Sequence, residues 1–150
     1  MNNKHTITYT LAQIRKPVEE LYNLFSSCSI FTFTGTLGAG KTTLIKNLLR
    51  YAGIKEIILS PTFTYVIAYS NSKGETFYHF DLYRIGSLEE FIASGFDELL
   101  YSPRSWSFIE WPEVIMPLLT KKTCHVTIDY KGEKERVLTY VLPNDTKHNS

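Results

Sequence analysis

Residues 35–42 read Gly35-Thr36-Leu37-Gly38-Ala39-Gly40-Lys41-Thr42, the spacing G-x-x-x-x-G-K-S/T. The chemistry served by that spacing is phosphate binding. Glycines let backbone N–H groups close around an anion with no Cβ in the way. A helix that starts where the loop ends turns its positive end toward the same anion. Gly38, Ala39, Gly40, Lys41, Thr42 and Thr43 are therefore the expected nucleotide contacts. Lys41 is expected to reach the β- and γ-phosphates, and the Thr42 hydroxyl to ligate Mg2+.

Turnover needs more than a phosphate cradle. An acid must hold the metal, and a second group must orient the attacking nucleophile. Phe77-Tyr78-His79-Phe80-Asp81 is an apolar run that ends in an aspartate. Asp81 is the expected metal-side acid, against the reading of a turn aspartate. Glu110 ends the run Trp106 to Ile109. Strands of an open α/β sheet end at the ligand crevice, so Glu110 is placed to orient or deprotonate a water. Thr62, in Ser60-Pro61-Thr62-Phe63, can sense a γ-phosphate through the metal or serve as a plain Pro-Thr turn. Trp111 can pack beside the nucleotide or fill the rim. Arg84 can meet phosphate or a partner, or form a surface ion pair.

These residues need elements to carry them. Ser29 to Thr34 reads as a strand entering the loop. Leu44, Ile45, Leu48, Leu49 and Ala52 then repeat at helical spacing until Gly53 stops the helix. His5 to Thr10 is strand-like. Pro17 suits a first helical turn whose face is Val18, Leu21, Tyr22 and Phe25. Glu56 to Leu59 reads as a short strand. Thr64 to Tyr69 and Thr76 to Leu82 form a hairpin about a Ser-Asn-Ser-Lys-Gly-Glu turn. Ser87 and Glu90 resemble a capping box before Leu88, Phe91 and Ile92, with Gly95 breaking the helical turns that follow. Pro112 opens a short helix carrying Val114, Ile115, Leu118 and Leu119. Cys124 to Tyr130 and Arg136 to Leu142 close the chain as a second hairpin. The expected architecture is a three-layer α/β domain over residues 1–142, a phosphate-loop NTPase type. Its mixed sheet carries antiparallel hairpin additions, and a polar, disordered tail follows at 143–150.

The chain has 150 residues, 43% hydrophobic and 21% charged, enough for one buried core. Sixteen basic against 15 acidic residues leave a formal charge of +1, so no global field favours nucleic acid. The longest basic run is Lys121-Lys122. Cys28 and Cys124 form no C-x-x-C and read as buried thiols of a reducing compartment. The four histidines, His5, His79, His125 and His148, lack metal-ligand spacing. The N-terminus leads into no long apolar segment, so neither signal peptide nor membrane span is expected, and the cytoplasm is the expected compartment.

Four motifs occur in a fixed order: Gly38-Ala39-Gly40-Lys41-Thr42-Thr43, Ser60-Pro61-Thr62-Phe63-Thr64, His79-Phe80-Asp81-Leu82-Tyr83-Arg84 and Ile109-Glu110-Trp111-Pro112-Glu113. Together they resemble the small bacterial ATPase of tRNA threonylcarbamoyladenosine synthesis, the TsaE or YjeE-like family, over about residues 5–142. The resemblance implies an α/β phosphate-loop protein that binds ATP and Mg2+ and hydrolyses ATP slowly by itself. It implies work with a heterodimer of two related proteins that transfers threonylcarbamoyl to adenosine 37 of tRNAs reading codons that begin with A. Transfer of tRNA contact to this chain is then indirect, through the complex. The same resemblance assigns Lys41 and Thr42 to phosphate and metal, Asp81 to the metal, Glu110 to the water and Thr62 to a switch loop. Many members carry an acid after the first glycine, where this chain has Thr36, so no role resting on that acid transfers. Two other classes fit a phosphate loop. A small-molecule or nucleotide kinase needs arginine-bearing lids, yet the five arginines (Arg15, Arg50, Arg84, Arg104, Arg136) are scattered. A nucleotide-dependent binding switch needs no productive hydrolysis.

Overall fold

Residues 3–119 and 122–143 are described by the computed structural model. Most of the expected polar tail, and the Lys121 half of the basic pair, lie outside the described residues. Seven strands form one mixed sheet: β1 (Lys4–Thr10), β2 (Ile30–Gly35), β3 (Val66–Ser70), β4 (Thr76–Asp81), β5 (Ser105–Glu110), β6 (Thr123–Lys131) and β7 (Glu135–Val141). Their spatial order is β1-β7-β6-β2-β5-β4-β3. The inner pairs β6–β2, β2–β5 and β5–β4 are parallel. The outer pairs β3–β4, β6–β7 and β1–β7 are antiparallel. Both expected hairpins thus extend a parallel centre.

The centre is apolar on both faces because both faces are covered. Side chains alternate along each strand. Phe31, Phe33, Phe77 and Phe108 join one core with the helices α1 (Arg15–Tyr22) and α2 (Lys41–Tyr51). Ile30, Phe80 and Ile109 join a second core. That core contains α3 (Leu88–Ala93) and the 3-10 turns Phe96–Tyr101 and Glu113–Leu118. In α2 the spacing of Leu44, Ile45, Leu48 and Leu49 buries all four. Gly53, at φ 100°, ends that helix, and the Arg50 guanidinium donates to the Ile54 carbonyl just beyond it. At α3 the Ser87 hydroxyl caps the Glu90 amide as expected, but the Glu90 carboxylate reaches the Gly86 amide and leaves the expected box half made.

Glu56 to Leu59 is not a strand. Ile57 and Leu59 are 78% and 59% exposed, and Ile58 alone of the three aliphatics is buried. A side chain replaces the missing ladder: the Tyr69 hydroxyl accepts from the Leu59 amide at 3.0 Å and donates to its carbonyl at 3.3 Å. The first hairpin starts later than its sequence pattern implies, at Val66, because Tyr65 takes φ 68°. Cys28 and Cys124 are buried free thiols. Among the described residues no helix is long and apolar enough to cross a membrane.

The turn out of β2 depends on Gly35. At φ 125°, a Cβ there would lie 2.0 Å from the Ile128 carbonyl oxygen of β6. Gly40 also has positive φ, 107°, but a Cβ there would meet nothing within 4 Å. We therefore expect G40A to cost roughly 1–3 kcal/mol of backbone strain. G35A is expected to cost clearly more, since β2 must leave its register on β6. Urea unfolding of the two variants checks the order.

Candidate functional site

The C-terminal ends of β2, β4 and β5 point the same way, since the strands are parallel. Asp81 and Glu110 occupy partnered positions on β4 and β5, and Phe33 of β2 partners Glu110 on the other side. By alternation Asp81, His79 and Glu110 face the same side as Phe77 and Phe108, which is the side of α2. Two carboxylates and the N-terminus of α2 thereby meet.

The loop supplies the opposite charge. Lys41 is 5% exposed, and its ammonium donates to the carbonyls of Gly35 and Thr36 at 3.1 and 3.3 Å. It also lies 4.9 Å above the centre of the Trp111 ring, a cation–π contact. Trp111 holds this place at φ 57° and packs against Tyr83 at 5.0 Å. The first bond of α2 runs from the Leu44 amide to the Gly40 carbonyl. The amides of Lys41, Thr42 and Thr43 precede it and have no acceptor within the helix.

Glu110 is 3% exposed and densely hydrogen-bonded. The Thr42 hydroxyl lies 2.9 and 3.0 Å from its two oxygens, and His79 Nε2 lies 2.7 Å from Oε2. Asp81 accepts from the Tyr83 amide at 3.1 Å. Burial pushes the Asp81 carboxyl above the ordinary carboxylate range and the Glu110 charge adds to the push, against the Tyr83 amide and the pull of His79 and Arg84.

A cavity of about 320 Å3 brings these parts together. Gly38, Gly40, Lys41, Thr42 and Thr43 line it from the loop, Asp81 and Glu110 from the strand ends, and Thr62 and Trp111 from the flanking loops. Thr62 hydrogen-bonds Ser60 at 3.1 Å, and both face the cavity. Ala39 is placed differently. Its side chain is 1% exposed and joins the α1–α2 core. It borders a second cavity of about 160 Å3 with Tyr9, Leu11, Ile14 and Arg136, which shares Gly38, Gly40 and Thr43 with the first. Arg84 covers the Phe63 ring at 4.9 Å.

The last hairpin shapes the loop, a role no local pattern announces. The Thr36 amide and hydroxyl donate to Asp129 at 3.3 and 2.9 Å. The Tyr130 hydroxyl donates to the Gly38 carbonyl at 2.8 Å, and Arg136 Nε to the Ala39 carbonyl at 3.1 Å. Arg136 also stacks 4.2 Å over Tyr130. A trans peptide points its N–H opposite its C=O. Fixing the Ala39 carbonyl toward the hairpin therefore turns the Gly40 amide the other way, away from the hairpin.

Comparison with known proteins places the chain. The family profile described as "Threonylcarbamoyl adenosine biosynthesis protein TsaE" matches residues 8–138. The chain is 36% identical over 113 residues to the tRNA threonylcarbamoyladenosine biosynthesis protein TsaE of Rickettsia felis, covering 75% of this chain and 64%, just under two thirds, of that relative. It is 36% identical over 124 residues to the protein of the same description from Haemophilus influenzae, covering 82% and 77%. The crystal structure of Bacillus subtilis YdiB superposes with a TM-score of 0.72 at 25% identity, covering 99% of this chain and 92% of that one.

The raised Asp81 carboxyl yields a stability prediction. A folded-state pKa above the unfolded value means that the folded state gains stability as pH falls and Asp81 takes up its proton, and loses it as pH rises through the raised value. At neutral pH, without divalent cation, the Asp81 charge therefore opposes folding. D81N keeps the oxygen that accepts from Tyr83 and removes that charge. Its melting temperature in chelator should exceed that of the parent at neutral pH, with the gap closing on acidification. Thermal melts across pH check this.

Proposed function

We propose that this chain, which belongs to the threonylcarbamoyl adenosine biosynthesis protein TsaE family, is a phosphate-loop ATPase serving the threonylcarbamoyl modification of tRNA. The observation that carries the reading is the single cavity in which Lys41 and Thr42 face Asp81 and Glu110. Residues 1–142 act as one ATPase domain. The glycine loop suits a polyphosphate: Gly38 and Gly40 have φ of 81° and 107°, a conformation that favours glycine and presents successive amides to one side. Two neighbouring carboxylates, one resisting ionisation, suit a divalent cation between them and the phosphates. Among the described residues no three His, Cys, Asp or Glu side chains group as a metal cage. Mg2+ needs none, because it takes most of its oxygens from phosphate and water.

In this reading Lys41 gives up the Gly35 and Thr36 carbonyls for the β- and γ-phosphates. The amides of Gly40, Lys41, Thr42 and Thr43 donate to the same anion. Thr42 and Asp81 would hold the metal, which would supply charge stabilisation to the phosphate oxygens. Glu110 orients a water in line with the γ-phosphate and accepts its proton. Thr62, with Ser60 beside it, senses the γ-phosphate, and Trp111 walls the cavity. The second cavity, with Tyr9, Leu11 and Ile14 as apolar lining and Arg136 at its edge, receives the base.

The partner is the threonylcarbamoyl-transfer heterodimer. Leu37, Phe63 and Tyr83, 77%, 79% and 65% exposed, stand on loops beside the cavity and give it an apolar rim suited to a protein surface. tRNA is reached through that complex. A formal charge of +1 neutralises few phosphates, so the isolated chain binds RNA weakly and loses it quickly with salt. Labelled tRNA titrated at physiological salt, with and without the heterodimer, tests this; tight saturable binding to the isolated chain contradicts it.

Phosphate-release assays with the heterodimer test the chemistry. K41A removes the loop's side-chain cation from the phosphates and should abolish turnover, at a cost of several kcal/mol as an order of magnitude. Turnover at the parent rate in K41A ends the phosphate-loop reading. E110Q should keep ATP affinity while slowing hydrolysis by about 10²-fold or more, the usual worth of a general base. An unchanged E110Q rate removes Glu110 from the chemistry.

A further inference from the structure

Glu110 has a second donor that the loop motif does not contain. His79 is fully buried, with Nε2 2.7 Å from Glu110 Oε2. It sits on β4 opposite Phe108, one same-face step before the Asp81–Glu110 pair, so it reaches the carboxylate diagonally across the parallel strands. Its other nitrogen, Nδ1, is buried with no hydrogen-bond partner among the described residues. A buried lone pair left bare is tolerated better than a buried N–H left bare. The ring therefore carries its hydrogen on Nε2 and donates it to Glu110.

We propose that His79 is a positioning residue for the Glu110 carboxylate. The inference rests on the reading of Glu110 as the water-side group. When the Thr42 hydroxyl turns to the metal, Glu110 loses one donor, and the His79 bond keeps one oxygen fixed so that the other faces the water. Nδ1 meets no acceptor or donor among the described residues, so the role assigned to His79 is to hold the carboxylate. It differs in this from a core histidine filling space: its loss impairs the rate and leaves nucleotide binding intact.

The test uses the full chain with the heterodimer, ATP and Mg2+, reading single-turnover phosphate release and, separately, equilibrium binding of a fluorescent ATP analogue. A glutamine amide can place its N–H where Nε2 sits, whereas an asparagine amide falls short of it. H79N and H79L should hydrolyse about tenfold or more slowly than the parent, with analogue affinity within about twofold, as expected for a lost positioning bond. H79Q should recover most of the rate. If H79L does not fold, the H79N against H79Q comparison still decides. Equal rates in H79N and H79Q, or parallel losses of affinity and rate, overturn the proposal. A parent chain and E110Q that behave as expected beside H79 variants at the parent rate overturn it alone. A parent chain that releases no phosphate overturns the ATPase reading and this inference with it.

Discussion

Two carboxylates held side by side at the end of a parallel sheet set the terms for everything around them. Asp81 and Glu110 are strand partners, 9% and 3% exposed. Burying a charge without partners costs several kcal/mol as an order of magnitude, and two like charges raise that cost. The fold answers each differently. Glu110 receives Thr42 and His79 as two hydrogen-bond partners. Asp81 receives one backbone amide and is left resisting ionisation. The asymmetry separates their chemistry. The better-paired group is fixed in place, and the poorly paired one gains most from a cation.

The loop opposite has a shape imposed from far along the chain. Thr36, Gly38 and Ala39 are tied to Asp129, Tyr130 and Arg136, at sequence separations of 92 to 97 residues. Gly35 touches β6 so closely that no side chain fits between them. Local sequence supplies glycines that permit the turn. The β6–β7 hairpin selects one conformer among those permitted, and in doing so sets which way the amides face. The preformed shape of the loop follows from tertiary structure as much as from the motif.

This division explains what the sequence discloses. Period-two alternation locates β2, β4 and β5 and sets Asp81 and Glu110 at strand ends. It does not say which strands are neighbours, and the site exists because β4 lies beside β5. The same alternation puts His79 on the face of Asp81, but its partner is 31 residues away and no local rule joins them. Arg136 and Tyr130 carry no signal, since their work is to hold carbonyls of another segment. Ala39 occupies a motif position, but the motif alone does not say which way its side chain faces. The bend of the loop sends its side chain into the core and its neighbours' amides outward. Glu56 to Leu59 misleads for the opposite reason: aliphatic composition suggests a strand, yet the segment joins no strand of the sheet, and a tyrosine hydroxyl satisfies the Leu59 backbone instead.

The polar groups of the site are satisfied from within. Lys41 is spent on two carbonyls and an indole face, and Thr42 on Glu110. On the proposed reading, nucleotide binding is an exchange in which each new bond replaces an old one, so net affinity is a difference between two well-bonded states. The exchange also imposes an order. As long as Thr42 donates to Glu110, the carboxylate is turned to the loop. Were Thr42 to hold the metal instead, as that reading has it, Glu110 would keep its bond to His79 and have its other oxygen free of the loop. On that reading, activation of water is tied to the seating of metal and phosphates, and a partner that shifts the loops bearing Thr62 and Trp111 would act on the same equilibrium. The rate is set, on that reading, by how often the internal bonds are given up, and no added catalytic group is required.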